Sequence, residues 1–237
     1  MYNLWNTCKK LLGGLWVLLL PPIVLAFTLD KPTYISIPLL ILVTMLALWK
    51  FKAHKPPFSL QTLIGFLIVF LFLLIFQNVT STILESTGLS ISNQEETIKL
   101  LKDRYWVMVV YTCFTAPIVE ELVCRHHIMS SLSNPLWGCA LSVLVFVAIH
   151  GFTIPALLTY GGMSLFMLFL YSKYGVWYSI GLHMMNNILA LLIYVQYLKK
   201  KDDSNYYRLF VNINGSGLTS GLSSSSTRFS IFSTVSV

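Results

Sequence analysis

Residues 60–76 read LQTLIGFLIVFLFLLIF. Beyond Gln61 and Thr62 the stretch has no polar side chain, so a helix built from it is apolar on every face. Such a helix is buried in a protein core or lies in lipid. Stretches of the same kind recur at Leu11–Leu29, Tyr34–Trp49, Tyr105–Leu132, Leu136–Phe152, Pro155–Tyr171 and Val176–Leu198. A span needs roughly 20 mostly apolar residues to cross the hydrocarbon core, so the pattern predicts an all-α, polytopic transmembrane helical bundle of about seven spans, six to eight.

Composition leads to the same fold class. The chain has 237 residues, 56% of them apolar and 11% charged, whereas an ordinary soluble domain is about a quarter charged. Mean hydropathy is +0.72. Too few charges are present to build a water-facing surface, which excludes a soluble domain. The net charge of +7, from 16 Lys and Arg against 9 acids, would suggest nucleic acid in a soluble protein. Here Lys50, Lys52, Lys55 and Lys199–Lys201 flank span ends, where cations meet anionic lipid headgroups. The partner they imply is the bilayer, not nucleic acid. Cys8, Cys113, Cys124 and Cys139 are scattered and form no CxxC pair, which argues against a disulfide framework or a thiolate metal site. The first stretch follows Lys9 and Lys10 as a secretory signal would, but Ala26-Phe27-Thr28 is a poor cleavage site and the apolar pattern soon resumes, so it reads as a span.

The chain divides into a membrane-embedded domain, 1–198, and a polar tail, 199–237, in which Ser, Gly and Thr dominate from Asn212 and Ser223–Ser226 has no helical period. The tail reads as disordered. Pro21-Pro22 predicts a kink in the first span. Ser92 and Glu95 have capping-box spacing, which predicts a short surface helix running towards Arg104. There is no internal repeat. Lys9, Lys10, the lysines of the 50–57 loop and Lys173 favour a cytoplasmic N-terminus. Seven spans then put Lys199–Lys201 outside, against the same rule.

An ionisable group inside an apolar span costs several kcal/mol unless it is paired or useful. Of the nine acids only Glu120 and Glu121 fall in the middle of a span. His150 and His183 lie in later apolar segments, Arg125 follows Glu121 by four residues, and Asn186 and Asn187 follow His183. If the fourth and fifth spans turn at Ser133–Pro135, Glu120 and His150 lie about 18 and 21 Å from that turn, at 1.5 Å per residue. His183 and Asn187 lie roughly 10 and 16 Å from the Lys173–Gly175 turn on the same side, and at i and i+4 they share a helix face. The groups are within reach of one another. Glu121 and Arg125, also i and i+4, suit an intrahelical ion pair. His126 and His127 fall near the span end and read as interfacial.

Glu120-Glu121-Leu122-Val123-Cys124-Arg125 reads EExxxR, Phe146 to His150 reads FxxxH, and His183 to Asn187 reads HxxxN. In this order on successive motif-bearing apolar helices, they resemble the three motifs of the CAAX-protease and bacteriocin-processing (CPBP) family of intramembrane peptidases. The likeness covers about Tyr105 to Leu198, the motif-bearing core. It implies an intramembrane endopeptidase in which Glu120 is the base, His150 holds and polarises a water, and His183 and Asn187 donate to the oxyanion. Glu121, Arg125 and Phe146 are supporting residues. The substrate it implies is a peptide or membrane-protein segment, met in CAAX-type processing or in bacterial peptide processing and immunity at a plasma membrane. Metal-free chemistry is expected. Zinc held by Glu120, His150 and His183 is the alternative, although HExxH, with two histidines on one helix face, is absent. Family members often carry a further hydrophobic helix after HxxxN, and this chain offers none. A non-catalytic membrane scaffold or immunity protein is the rival reading. Intramembrane Glu and His also serve proton-coupled transport, against which the missing repeat counts.

Overall fold

The computed structural model describes residues 4–52, 58–89, 100–101 and 103–214, and these form helices and short connections with no strand. Six helices are long and apolar enough to cross a membrane: α1 (Trp5–Thr28), α2 (Thr33–Phe51), α3 (Leu60–Ser86), α4 (Tyr105–Ser131), α6 (Ile154–Tyr174) and the first part of α7, Val176–Gln196. The shorter α5 (Pro135–Ile149) lies between α4 and α6. The protein is an all-α polytopic membrane bundle.

Among the boundaries that differ from the sequence reading, three have a clear local reason. α3 continues past Phe76 to Ser86, because Gln77 and Thr80 to Ser86 include no Pro or Gly to stop it. α5 stops at Ile149 rather than Phe152. His150 caps it and Gly151 follows at φ +103°, a conformation that side-chain-bearing residues rarely adopt. Its 15 residues reach about 22 Å, short of the roughly 30 Å hydrocarbon core. α7 runs on to Asn214 instead of ending at Leu198. Its sequence holds no Pro, and its only glycine is Gly181, until Gly215. The residues proposed as a capped surface helix, 92–95, and residues 215–237 of the tail lie outside the described residues.

Pro21-Pro22 acts on α1 one turn earlier than its own position. Proline supplies no backbone donor, and the preceding Trp16–Leu19 tightens to a 3₁₀ turn in which the Leu20 N–H bonds Val17 O. α3 begins on a reciprocal Ser59–Thr62 capping box, α5 on Asn134, whose side chain accepts the Leu136 N–H at 2.9 Å, and α6 on Thr153, which accepts the Ala156 N–H at 3.2 Å. These caps satisfy helix-end donors that lipid would leave without partners.

Burial separates an inner layer from an outer one. In the most apolar window of α4, 67% of residues are buried within the protein, against 28% for α2 and 22% for α3. The helices carrying the motifs are therefore central, and α2 and α3 turn most of their surface outward to lipid. A single apolar cluster runs from Val17 and Val43 through Leu122, Phe146 and Tyr160 to Leu182. Close approaches lock the layers together. Gly162 meets the Phe76 ring, and Gly14 meets His127. That ring bonds the Lys10 carbonyl through Nε2 at 3.0 Å, so His127 joins α4 to α1.

Candidate active site

α4 is not a uniform helix. Two π segments, Tyr111–Thr115 and Leu122–His127, bracket an α-helical piece, Ala116–Glu121. Each π turn inserts a residue into the helical repeat, a distortion frequent at functional sites. Glu120 and Glu121 lie at the end of the bracketed piece, about 100° apart around the axis. They share His183, one on each of its ring nitrogens, and otherwise have different partners.

Glu121 faces the protein interior and is fully buried, as is Arg125. Its Oε2 lies 3.1 Å from Arg125 Nε and also accepts the Ser179 hydroxyl. Its Oε1 lies 3.2 Å from His183 Nδ1. Arg125 is fixed in turn. Its Nη2 donates to Ser164 Oγ at 3.0 Å, and its guanidinium carbon lies 4.4 Å above the Phe146 ring centre. The expected intrahelical pair is present, inside a network that reaches α6 and α7.

Glu120 faces the histidines. Its Oε2 lies 3.9 Å from His150 Nε2 and 3.9 Å from His183 Nε2. That oxygen is buried and has no hydrogen-bond partner. The three groups, with Tyr111, Thr112, Ala116 and Asn187, wall a cavity of about 20 Å³. A single water needs roughly 10–15 Å³ on this measure. The space suits one water surrounded by polar partners.

Hydrogen bonds on the far side of each ring decide what the near side can do. His150 Nδ1 lies 2.8 Å from the Phe146 carbonyl oxygen, which can only accept, so Nδ1 carries the proton and neutral His150 offers Nε2 as a lone pair. Its ring stacks on Tyr160 at 4.2 Å and packs against Phe146 at 4.7 Å. His183 Nδ1 faces a carboxylate already occupied by Arg125 and Ser179, so it too is the donor. Nε2 of His183 is then an acceptor while the ring is neutral and a donor once it takes a second proton. Asn187 donates from Nδ2 to the Thr112 carbonyl at 2.8 Å and forms part of the cavity wall.

The structure therefore brings together Glu120, His150, His183 and Asn187, with Glu121, Arg125 and Phe146 supporting them. Sequence reasoning missed Ser179, Ser164, Thr112 and Tyr160. Ser179 is four residues before His183, on the same face of α7, and that spacing was the available signal. The cysteines are free thiols, Cys113 and Cys124 buried, and Cys113 Sγ lies 3.7 Å from the Thr112 hydroxyl. Tetrahedral zinc holds neighbouring ligands about 3.3 Å apart, given metal–ligand distances near 2.0 Å. Both Glu120–histidine separations, at 3.9 Å, exceed that. Among the described residues no group of three or more His, Cys, Asp and Glu could hold a metal ion.

Residues 102–189 match the family described as Type II CAAX prenyl endopeptidase Rce1-like. No curated protein and no solved structure matches the chain.

Proposed function

We propose, from the place of residues 102–189 in the CAAX-type (CPBP) intramembrane peptidase family, that this membrane protein hydrolyses a peptide bond with a water activated by Glu120. The observation that carries the reading is the buried Glu120 Oε2, unpartnered, between two imidazole Nε2 atoms and facing a cavity of about 20 Å³. A carboxylate left without a donor in such a place is costly, and a water that donates to it removes the cost.

The water donates one hydrogen to Glu120 Oε2 and the other to His150 Nε2. As its oxygen bonds the scissile carbonyl carbon, Glu120 takes the proton, acting as general base. The carbonyl oxygen becomes an oxyanion beside His183 Nε2, which donates to it when that nitrogen carries a proton, with the Asn187 amide alongside. When the intermediate collapses, the C–N bond breaks and Glu120 passes its proton to the leaving amine. Glu121 does not react. It holds the His183 ring by Nδ1, and Arg125 and Ser179 hold Glu121.

No metal takes part in this scheme. The substrate class is a CAAX-type prenylated C-terminus or another short peptide segment presented at the bilayer. The test uses the full chain reconstituted in liposomes with a fluorogenic farnesylated CAAX-type peptide. Glu120→Gln is expected to lower kcat by at least about 100-fold, the range for loss of a general base, with thermal unfolding within about 2 °C of the parent. A zinc chelator is expected to leave the rate unchanged. Full activity in Glu120→Gln overturns the role of Glu120, and loss of activity with the chelator, restored by zinc, overturns the metal-free scheme.

A further inference from the structure

The π segment ahead of Glu120 leaves one backbone carbonyl in an unusual position. Within Tyr111–Thr115 the ladder runs i to i−5, and the Ala116 N–H bonds Tyr111 O. The next bond in that register would run from residue 117 to Thr112 O. Residue 117 is proline and has no N–H. In a regular α-helix Thr112 O would instead take the Ala116 N–H, which is already committed to Tyr111. Only the combination of a π turn and Pro117 leaves the Thr112 carbonyl without a backbone donor. In the observed structure Asn187 Nδ2 fills that position from α7 at 2.8 Å.

We infer that Pro117 is a positioning residue for the peptidase site: it reserves the Thr112 carbonyl for Asn187 and so fixes the carboxamide against the cavity that holds Glu120, His150 and His183. A buried carbonyl without a donor costs free energy in water-free surroundings. The chain therefore gains only when Asn187 adopts the one rotamer that reaches it. The carboxamide is then held at the cavity wall, where a donor to a developing oxyanion is useful. A proline three residues before the catalytic glutamate and an asparagine on the last membrane helix thus act as one device. Any other residue at 117 brings back an N–H that satisfies Thr112 O in the π register, or lets Ala116 do so in the α register. Either way Asn187 loses its anchor.

The inference rests on the peptidase reading for its effect on rate, but the Pro117–Asn187 coupling can be measured without it. Wild type, Pro117→Ala, Asn187→Ala and the double variant are purified in detergent and unfolded thermally. Asn187→Ala is expected to lower Tm by about 3–6 °C in the parent, since it strands a buried acceptor, and by less than about 1 °C in the Pro117→Ala background, where the backbone satisfies that acceptor. Equal shifts in both backgrounds overturn the inference. In liposomes with the farnesylated CAAX-type peptide, Pro117→Ala is expected to lower kcat about tenfold with KM within twofold, the cost of a misplaced group. Asn187→Ala is then expected to cost less in that background than in the parent. Wild-type kcat in Pro117→Ala overturns the positioning role. Pro117→Ser restores the same N–H and replaces the alanine variant if that fails to fold. Absence of cleavage by the parent protein would count against the peptidase reading alone, and the thermal cycle would still judge the coupling.

Discussion

Arg125→Ala is the substitution whose consequence can be worked most fully from the geometry. Arg125 and Glu121 are both fully buried, 3.1 Å apart. At an effective dielectric constant of about 20, a pair at that separation attracts by roughly 5 kcal/mol before desolvation is counted. Removing one partner of a buried pair typically costs about 3–5 kcal/mol, because a charge is left uncompensated. The guanidinium also sits 4.4 Å over Phe146, worth about 0.5–2 kcal/mol more. Ser179 and His183 continue to donate to Glu121, which favours the lower end, and about 4 kcal/mol is expected. For a chain of this size that is a fall in Tm of about 8–16 °C, read by thermal unfolding in detergent. The cause is checked with a second substitution. In Arg125→Ala/Glu121→Gln the stranded charge is gone, and about 1–3 kcal/mol should return, the cost of an unsatisfied buried group. If Arg125→Ala unfolds within 2 °C of the parent, or if the second change lowers Tm further, the buried charge is not what Arg125 compensates and the reasoning fails.

Glu120→Gln, which removes the charge behind a buried, unpartnered carboxylate oxygen, is expected to keep or slightly raise Tm while cleavage is lost, and thermal unfolding set beside the liposome assay checks the pairing. Ser179→Ala removes a donor to Glu121 and should cost about 1–3 kcal/mol and lower kcat more than it raises KM, which steady-state kinetics would reveal. A Cβ on Gly162 would clash with the Phe76 ring, so Gly162→Ala should destabilise by about 1–3 kcal/mol, and Phe76→Ala in the same chain should relieve the clash, as unfolding of the pair would show.

The fold was readable from the sequence because lipid makes one demand of every span: length and apolarity. That demand fixes which stretches cross and leaves their ends to local chemistry. Span counting therefore found every helix but carried α5 past His150 into a loop. The cue was Gly151, whose φ of +103° closes the helix at the residue that serves the site. The same demand exposed the ionisable part of the site. A charge in hydrocarbon must find partners, so the two acids placed inside a span had to lie near the intramembrane histidines, and helix arithmetic was enough to bring them close.

The neutral half of the site gave no such sign. Serine and threonine inside a span can satisfy themselves on the preceding turn of their own helix, as Thr28 does on Val24 O at 2.7 Å and Thr44 on Leu40 O at 2.9 Å. A lone hydroxyl in an apolar run therefore carries little information, and Ser179 and Ser164 look in the sequence like Thr28 or Thr44. The π turns are hidden for a different reason. Residue spacing records distance along a helix, whereas an i to i−5 register changes the rotation of everything after it by about a residue, some 100°. From spacing alone, either Glu120 or Glu121 could face the histidines, and the motif resemblance favoured Glu120 as the base. In the structure Ala116–Glu121 is bracketed by two π segments, with Glu121 in the ion-pair network, where it also reaches His183, and Glu120 facing the cavity. Pro117 lies within that bracket. It reads in the sequence as a helix breaker at an awkward place, and it gains a purpose only when the carbonyl it leaves vacant is seen to be occupied from another helix.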